Sequence, residues 1–371
     1  MTRSIAQNDF KRQWDVVRED VLAAVERVGR SGRFILGDEV RRFEEALGDA
    51  WGMQHAIGVA NGLDAIEIGL RCLGLKSGDK VLTTPLSAFA STLAIIRAGG
   101  IPVFVDVDDD GLIDLQQCRD VFGRDSSIRF FVPVHMYGFP LDAEALARLK
   151  RDFDLRVVED CAQSIGAKHS GTTAGTIGQI AATSFYPTKN LGALGDAGAV
   201  LTNDDALAAH ARMLRNTGRS EHHLHSELGL NSRLDELHAA ILHDAFLPRL
   251  GEWGANRRRI AERYRAGIRH ADLRVRDVPV NVEPAWHLFP VFVGNSKRDE
   301  LREHLHSLGI RTSIHYPLAV TDQPALKEQE TAFDPRNARR IAASELSLPI
   351  HPFLSGDEVD AVIAACNRWA A

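Results

Sequence analysis

Lys189 stands in the run Thr183-Ser184-Phe185-Tyr186-Pro187-Thr188-Lys189-Asn190, after an apolar stretch and just ahead of Gly192, Gly195 and Gly198. A lysine in a secluded, partly desolvated setting can shed its proton and form a Schiff base with a carbonyl. The three glycines would let backbone pass close to a flat ligand. Ser184, just upstream, could give a hydroxyl to a phosphate. An exposed loop lysine beside a flexible turn accounts for the same spacing. Three other segments carry chemistry of a matching kind. Asp160 closes the apolar run Arg156-Val157-Val158-Glu159-Asp160, where open α/β sheets place ligand groups. A carboxylate there can pair with a buried cation, or it can cap the next helix. Asn61-Gly62-Leu63-Asp64 lies between a strand-like and a helix-like segment, where free amides and the helix dipole favour an anion. Taken alone, a plain turn with Asp64 in the first helical turn fits it better. In Gly229-Leu230-Asn231-Ser232-Arg233-Leu234-Asp235, either Asn231 or Ser232 suits the N-cap of a following helix.

The elements that must position these groups alternate in type. Strand-like runs cover His55–Ala60, Lys80–Thr84, Pro102–Val107, Ile128–His135, Leu155–Asp160, Ala181–Tyr186 and Gly198–Thr202. Helix-like stretches between them include Asp64–Leu75, Ser87–Ala98, Ala143–Asp152 and Asp205–Arg215. That alternation predicts an α/β fold with a mostly parallel seven-stranded sheet covered on both faces. From about residue 232 to 268 the chain reads as one long helical region bent at Pro248. A strand at Trp286–Val293, a helix at Asp299–Leu308 and a strand at Ile310–His315 follow. A last helix opens on Ser355-Gly356-Asp357-Glu358, which has capping-box spacing. The expected division is a large α/β domain over residues 1–250 and a smaller C-terminal α+β domain over 251–371.

Composition narrows the function. With 371 residues, 44% of them apolar and a formal net charge of -6, the chain offers no basic footprint for nucleic acid or an anionic membrane. Arg257-Arg258-Arg259 reads as a solvated helix face. Cys72, Cys118, Cys161 and Cys366 are scattered without metal or redox spacing, as buried cysteines of a reducing cytoplasm would be. The first fifteen residues lack the apolar core of a signal peptide, and no apolar run approaches the ~20 residues of a membrane span. No Gly-x-Gly-x-x-Gly or Walker-type lysine follows the first strand.

Taken together, the four segments resemble the DegT/DnrJ/EryC1/StrS family of sugar aminotransferases, which share the aspartate-aminotransferase fold (fold type I). The likeness extends to Gly32-Arg33-Phe34-Ile35-Leu36-Gly37, Pro133-Val134-His135-Met136-Tyr137-Gly138 and Ala285-Trp286-His287-Leu288-Phe289. It continues through His315-Tyr316-Pro317 and Ser347-Leu348-Pro349-Ile350-His351-Pro352. The resemblance implies a pyridoxal 5'-phosphate enzyme, with Lys189 holding the cofactor and moving the proton. Asp160 would pair with the pyridine nitrogen, Gln163 would lie near the ring hydroxyl, and Phe89 would stack on the ring. The amides of Gly62 and Leu63 and the Ser184 hydroxyl would take the phosphate. Asn231 would reach the phosphate of a partner subunit, which implies a homodimer with shared active sites. Arg233, His315 and Tyr316 would face the sugar nucleotide.

Glutamate is the implied amino donor and a keto-sugar nucleotide the acceptor. The product would be an amino sugar for lipopolysaccharide, another surface polysaccharide or a glycosylated natural product. The Lys189 and His315 segments look more like members that aminate C3 than C4. The sequence departs from the family at Leu63, where many members have Thr or Ser, and at Thr188, where many have Gly or Ser. Beyond Pro317 the run Leu318-Ala319-Val320-Thr321-Asp322-Gln323 gives no familiar substrate edge. Rival readings are a sugar dehydratase, which would replace the lysine or group its cysteines, and a non-catalytic cofactor-binding regulator.

Overall fold

In the computed structural model, residues 4–221, 223–326 and 331–370 are described. Seven strands form the main sheet: β1 His55–Val59, β2 Lys80–Thr83, β3 Ile101–Phe104, β4 Phe130–Val132, β5 Arg156–Asp160, β6 Ile180–Ser184 and β7 Gly198–Thr202. Their spatial order is β1-β7-β6-β5-β4-β2-β3. Only β7 runs against its neighbours β1 and β6, while β6, β5, β4, β2 and β3 pair in parallel. All seven expected runs are therefore strands of one mostly parallel sheet.

Both faces are covered, which is why the strands read as nearly unbroken apolar runs. Alternate residues serve opposite cores. Ala182 and Val200 pack with α3 (Gly62–Cys72), whereas Ala181 and Leu201 pack with two amino-terminal helices, Phe10–Ser31 and Asp38–Trp51. Those two helices were not singled out in the sequence; long and amphipathic, they precede the first strand.

A smaller antiparallel sheet, β8 Leu273–Val275, β9 Phe289–Val293 and β10 Glu345–Leu348, carries β9 at its centre. The helices Arg298–Ser307 and Gly356–Arg368 belong to this part, and Ser355 and Glu358 form the expected capping box.

Several expectations change. The helical region begins at Glu236, capped by Asp235 rather than by Asn231 or Ser232, because Ser232 Oγ is turned inward to the Ala60 amide. It passes through one π turn at Leu242–Phe246 and a 3-10 turn at Leu247–Arg249 before the long helix Leu250–Gly267. The irregularity falls where Pro248 lacks a donor. Ile310–His315 is not a strand; it makes only isolated bridges, Ile310 with Ile5 and Ser313 with Ser347. Arg257 is buried, not solvated: its guanidinium donates to the carbonyls of Trp286, His287 and Ile350. All four cysteines are free and buried, and none of the described helices is long and apolar enough to cross a membrane.

Candidate active site

The carboxyl ends of β1, β5 and β6 converge on one cavity of about 580 Å³. From β1 the chain turns through Asn61 into α3. The Asn61 side chain caps the helix by accepting from the Asp64 amide at 2.8 Å, which leaves the leading amides of Gly62 and Leu63 without an intrahelical acceptor. A side chain at Gly62 would put its Cβ 2.7 Å from Ser184 Cβ, and one at Gly198 would come 2.5 Å from the Asn61 carbonyl carbon. Glycine at both places lets the amino end of α3 press against Ser184, so amides and hydroxyl open on the same pocket.

In the same cavity, Asp160 accepts from Ser91 Oγ at 2.7 Å and from the Ala162 amide at 3.1 Å. Ser87, one helical turn before Ser91, supports it at 2.8 Å. No helix follows Asp160 directly, so its carboxylate is not a helix cap. Among the described residues no cation lies in ion-pair contact with it. Gln163 receives the Tyr137 amide on its Oε1 at 2.6 Å, while its Nε2 lies 3.5 Å from the Tyr316 hydroxyl.

Lys189 lines the same cavity. Burial drives its amine down to about 8, against the opposing charge of Asp160. It is not an exposed loop lysine. His287 and His315 line the same wall. Burial, with the charge of Lys189 adding, pushes His315 down to about 4 and His287 well below its ordinary value. Both imidazoles are therefore neutral beside the lysine. Burial also raises the Tyr316 hydroxyl above its ordinary value, so it faces the cavity as a donor.

The cavity thus brings together Gly62, Leu63, Asp160, Gln163, Ser184, Lys189, His315 and Tyr316. Three expected residues are not among those lining the cavity. Phe89 opens the helix Phe89–Arg97 between the cavity-lining residues Ala88 and Ala90, and packs in part against Phe104, Val320 and Leu326. Arg233 donates to Asn216 Oδ1 at 3.2 Å, and Asn231 is exposed, bridged to Asn216. Neither lines the cavity of its own chain. Residues missed from sequence include Ser87, Ser91, Arg97, Asp196 and His287. The spacing of Ser87 and Ser91 puts both on one helix face and could have revealed them.

The donor set suits a planar carbonyl compound with a phosphate tail and a basic ring nitrogen. An amine, a carboxylate and a helix amino terminus with a hydroxyl line one cavity. A second polar cluster, His135, Glu159 and Cys161, brings ligand-type atoms within 4.8 Å of one another. Its atoms are already committed: Glu159 accepts from His135 Nε2 and the amides of Gly175, Ile177 and Gly178, and His135 Nδ1 accepts from Leu141.

The model of the DegT/DnrJ/EryC1/StrS aminotransferase family matches residues 15–367. The chain is 40% identical over 368 residues to the dTDP-3-amino-3,4,6-trideoxy-alpha-D-glucose transaminase of Streptomyces venezuelae, covering 98% of this chain and 95% of that one. It is 38% identical over 362 residues to a pleiotropic regulatory protein of Geobacillus stearothermophilus, covering 96% and 95%. Among solved structures, S. venezuelae DesV in complex with a ketimine intermediate superposes with a TM-score of 0.95 at 38% identity, covering 99% of each chain.

Proposed function

The chain belongs to the DegT/DnrJ/EryC1/StrS aminotransferase family, and on that premise we propose that it moves an amino group from glutamate to C3 of a keto-sugar nucleotide, with pyridoxal phosphate held at Lys189. The single observation that carries this reading is the meeting of Lys189 and Asp160 in one cavity with the amino end of α3 and Ser184. The relative from S. venezuelae, named for a 3-amino sugar, supports C3 as the carbon aminated.

Each residue then has its work. Lys189 would hold the cofactor through its Nζ, and its free amine would move a proton as general base and acid. Its amine, brought down to about 8, is deprotonated near neutral pH far more readily than an ordinary lysine. Asp160 would pair with a protonated ring nitrogen of the cofactor. The bound cofactor supplies a ring that accepts negative charge from the donor's α-carbon. The Gly62 and Leu63 amides and the Ser184 hydroxyl bind the phosphate, and Leu63 contributes backbone only. Gln163 sits near the ring hydroxyl, while His315 and Tyr316 face the sugar. Donor and acceptor use the same lysine in turn, which gives ping-pong kinetics.

Asn231 and Arg233, standing outside their own cavity, serve the site of a second subunit in a cytoplasmic homodimer. The exposed apolar side chains of Phe34 and Ile35, whose backbones meet Glu236 and Asp235 just beyond Arg233, support a covered face near them. Co-expressing Lys189→Ala with Asn231→Asp tests the sharing. Recovered activity in verified heterodimers supports it, and no recovery removes it. The chemistry is tested by offering glutamate with 3-keto and 4-keto sugar nucleotides and weighing the products. Amination of only the 4-keto substrates would overturn the C3 assignment, and amination of neither would overturn the substrate class.

A further inference from the structure

Glu345 and Ser347 alternate with Leu346 and Leu348 along β10, so two polar side chains leave one face while two leucines join the core. Glu345 and Ser347 have 0% exposure. A sealed carboxyl and hydroxyl need partners, and theirs form a chain. Ser347 Oγ lies 2.5 Å from Glu345 Oε1 and 2.9 Å from His315 Nδ1. Glu345 Oε2 accepts the His315 amide at 2.6 Å, and the Tyr137 hydroxyl donates to the His315 carbonyl at 2.9 Å. His315 is thereby fixed at its ring and at both backbone groups. Its Nε2 takes no part in these bonds, and the residue lines the cavity with Lys189.

We propose that Glu345, Ser347 and His315 form a proton relay that opens on the cavity beside Lys189, with Glu345 as the buried acid that stores the proton. In the unloaded form Ser347 donates to the Glu345 carboxylate, His315 Nδ1–H donates to Ser347 Oγ, and Nε2 is bare. When Nε2 takes a proton from the Lys189 ammonium, Nδ1 passes its own to Ser347 and Ser347 passes its own to Glu345. The products are a neutral amine, a neutral carboxyl, an intact hydroxyl and an imidazole protonated at Nε2. One N–H bond breaks at Nζ and one forms at Nε2, one breaks at Nδ1, and an O–H is exchanged at Ser347 and gained at Glu345. The charges +1 and −1 become zero and zero, and no lasting imidazolium is needed.

The surroundings suit that exchange. Burial pushes Glu345 up to about 8, although the His315 amide, the Ser347 hydroxyl and the charge of Arg298 pull the other way. Tyr137 and Tyr316 also face it, and His315 faces Lys189 and His287. Glu345 and Ser347 are positioning residues that act through His315. Their use in turnover rests on Lys189 being the working amine, whereas the proton arrangement itself does not.

The test is the ring tautomer of His315, read by two-bond ¹H–¹⁵N correlation on the full chain with ¹⁵N-labelled histidine, with and without pyridoxal phosphate. The His315 signals are assigned by their loss in His315→Gln. The relay requires the proton on Nε2 at low pH and on Nδ1 at high pH, with the exchange near the Glu345 midpoint. In Glu345→Gln the side-chain oxygen is taken by the His315 amide, which turns the NH2 toward Ser347 as a donor, so the variant should hold the proton on Nε2 throughout. Ser347→Ala should uncouple the ring from Glu345. A single tautomer across the whole range in the unsubstituted chain overturns the relay, as does an unchanged switch in Glu345→Gln. Because this reading needs no turnover, its failure leaves the assignment of Lys189 untouched.

Discussion

The two walls of the cavity handle buried polar groups differently. On the main-sheet wall, groups at strand ends have few protein partners and open onto the ligand space: Asp160 accepts from Ser91 and one amide, and Ser184 rests against Gly62. On the C-terminal wall, His315 is tied to Glu345, Ser347 and Tyr137, all sealed from solvent. Glu159 sharpens the contrast. It precedes Asp160 on β5 and so points to the other face. Burial pushes its carboxyl up, yet His135 and the amides of Gly175 and Gly178 hold it below its ordinary value. Two adjacent carboxylates thus differ in what surrounds them: one is saturated by protein, the other keeps room for a cationic partner.

The comparison is broken most severely at Lys189. Lys189→Ala should fold with an unchanged circular dichroism spectrum yet lose kcat by more than about 10³-fold, since no other amine can replace a positioned acid–base group. Retained turnover would mean that the main-sheet wall does not carry the chemistry. Asp160→Asn should lower kcat by roughly 10²-fold, the scale of one lost electrostatic contact in a closed site. Cofactor affinity, set mainly by the phosphate cradle, should change far less. Near-normal turnover would make Asp160 as structural as Glu159.

The main-sheet wall was far more legible in sequence than the C-terminal one. Parallel strands buried on both faces leave continuous apolar runs, and their carboxyl ends mark where Asp160 and Ser184 must emerge. Glu345 and Ser347 lie in a short strand that reads as unremarkable alternation, and only the fold brings them to His315. Phe89 shows what sequence leaves out: its place in the chain suits a stacking ring, while the apolar cluster of Phe104, Val320 and Leu326 that it packs against is formed by distant segments. Arg257 was misread for a similar reason, since its carbonyl partners come from residues 286–287 and 350.

The smallest expected effect lies in the C-terminal wall and is one of stability. Glu345 is raised from 4.5 to about 8 in the folded chain. The folded state therefore keeps a proton that the unfolded state has lost, so this residue's contribution is full below 4.5 and declines as pH rises toward 8. The decline cannot exceed about 1.4 kcal/mol per pH unit. Glu345→Gln should flatten that part of the denaturant-unfolding profile, and an identical slope in the variant would show that Glu345 titrates normally.

The central claim is that Lys189, and no other lysine, holds the cofactor. Lys150 is a fair control, because it too is pushed down by burial, yet its amine donates to the Ile177 carbonyl at 2.6 Å and does not line the cavity. Borohydride reduction of the chain loaded with pyridoxal phosphate, followed by peptide mass analysis, decides the matter. The account predicts the added cofactor mass on the peptide containing Lys189, and none there in Lys189→Ala. The same mass found on Lys150 or Lys168 instead would contradict it.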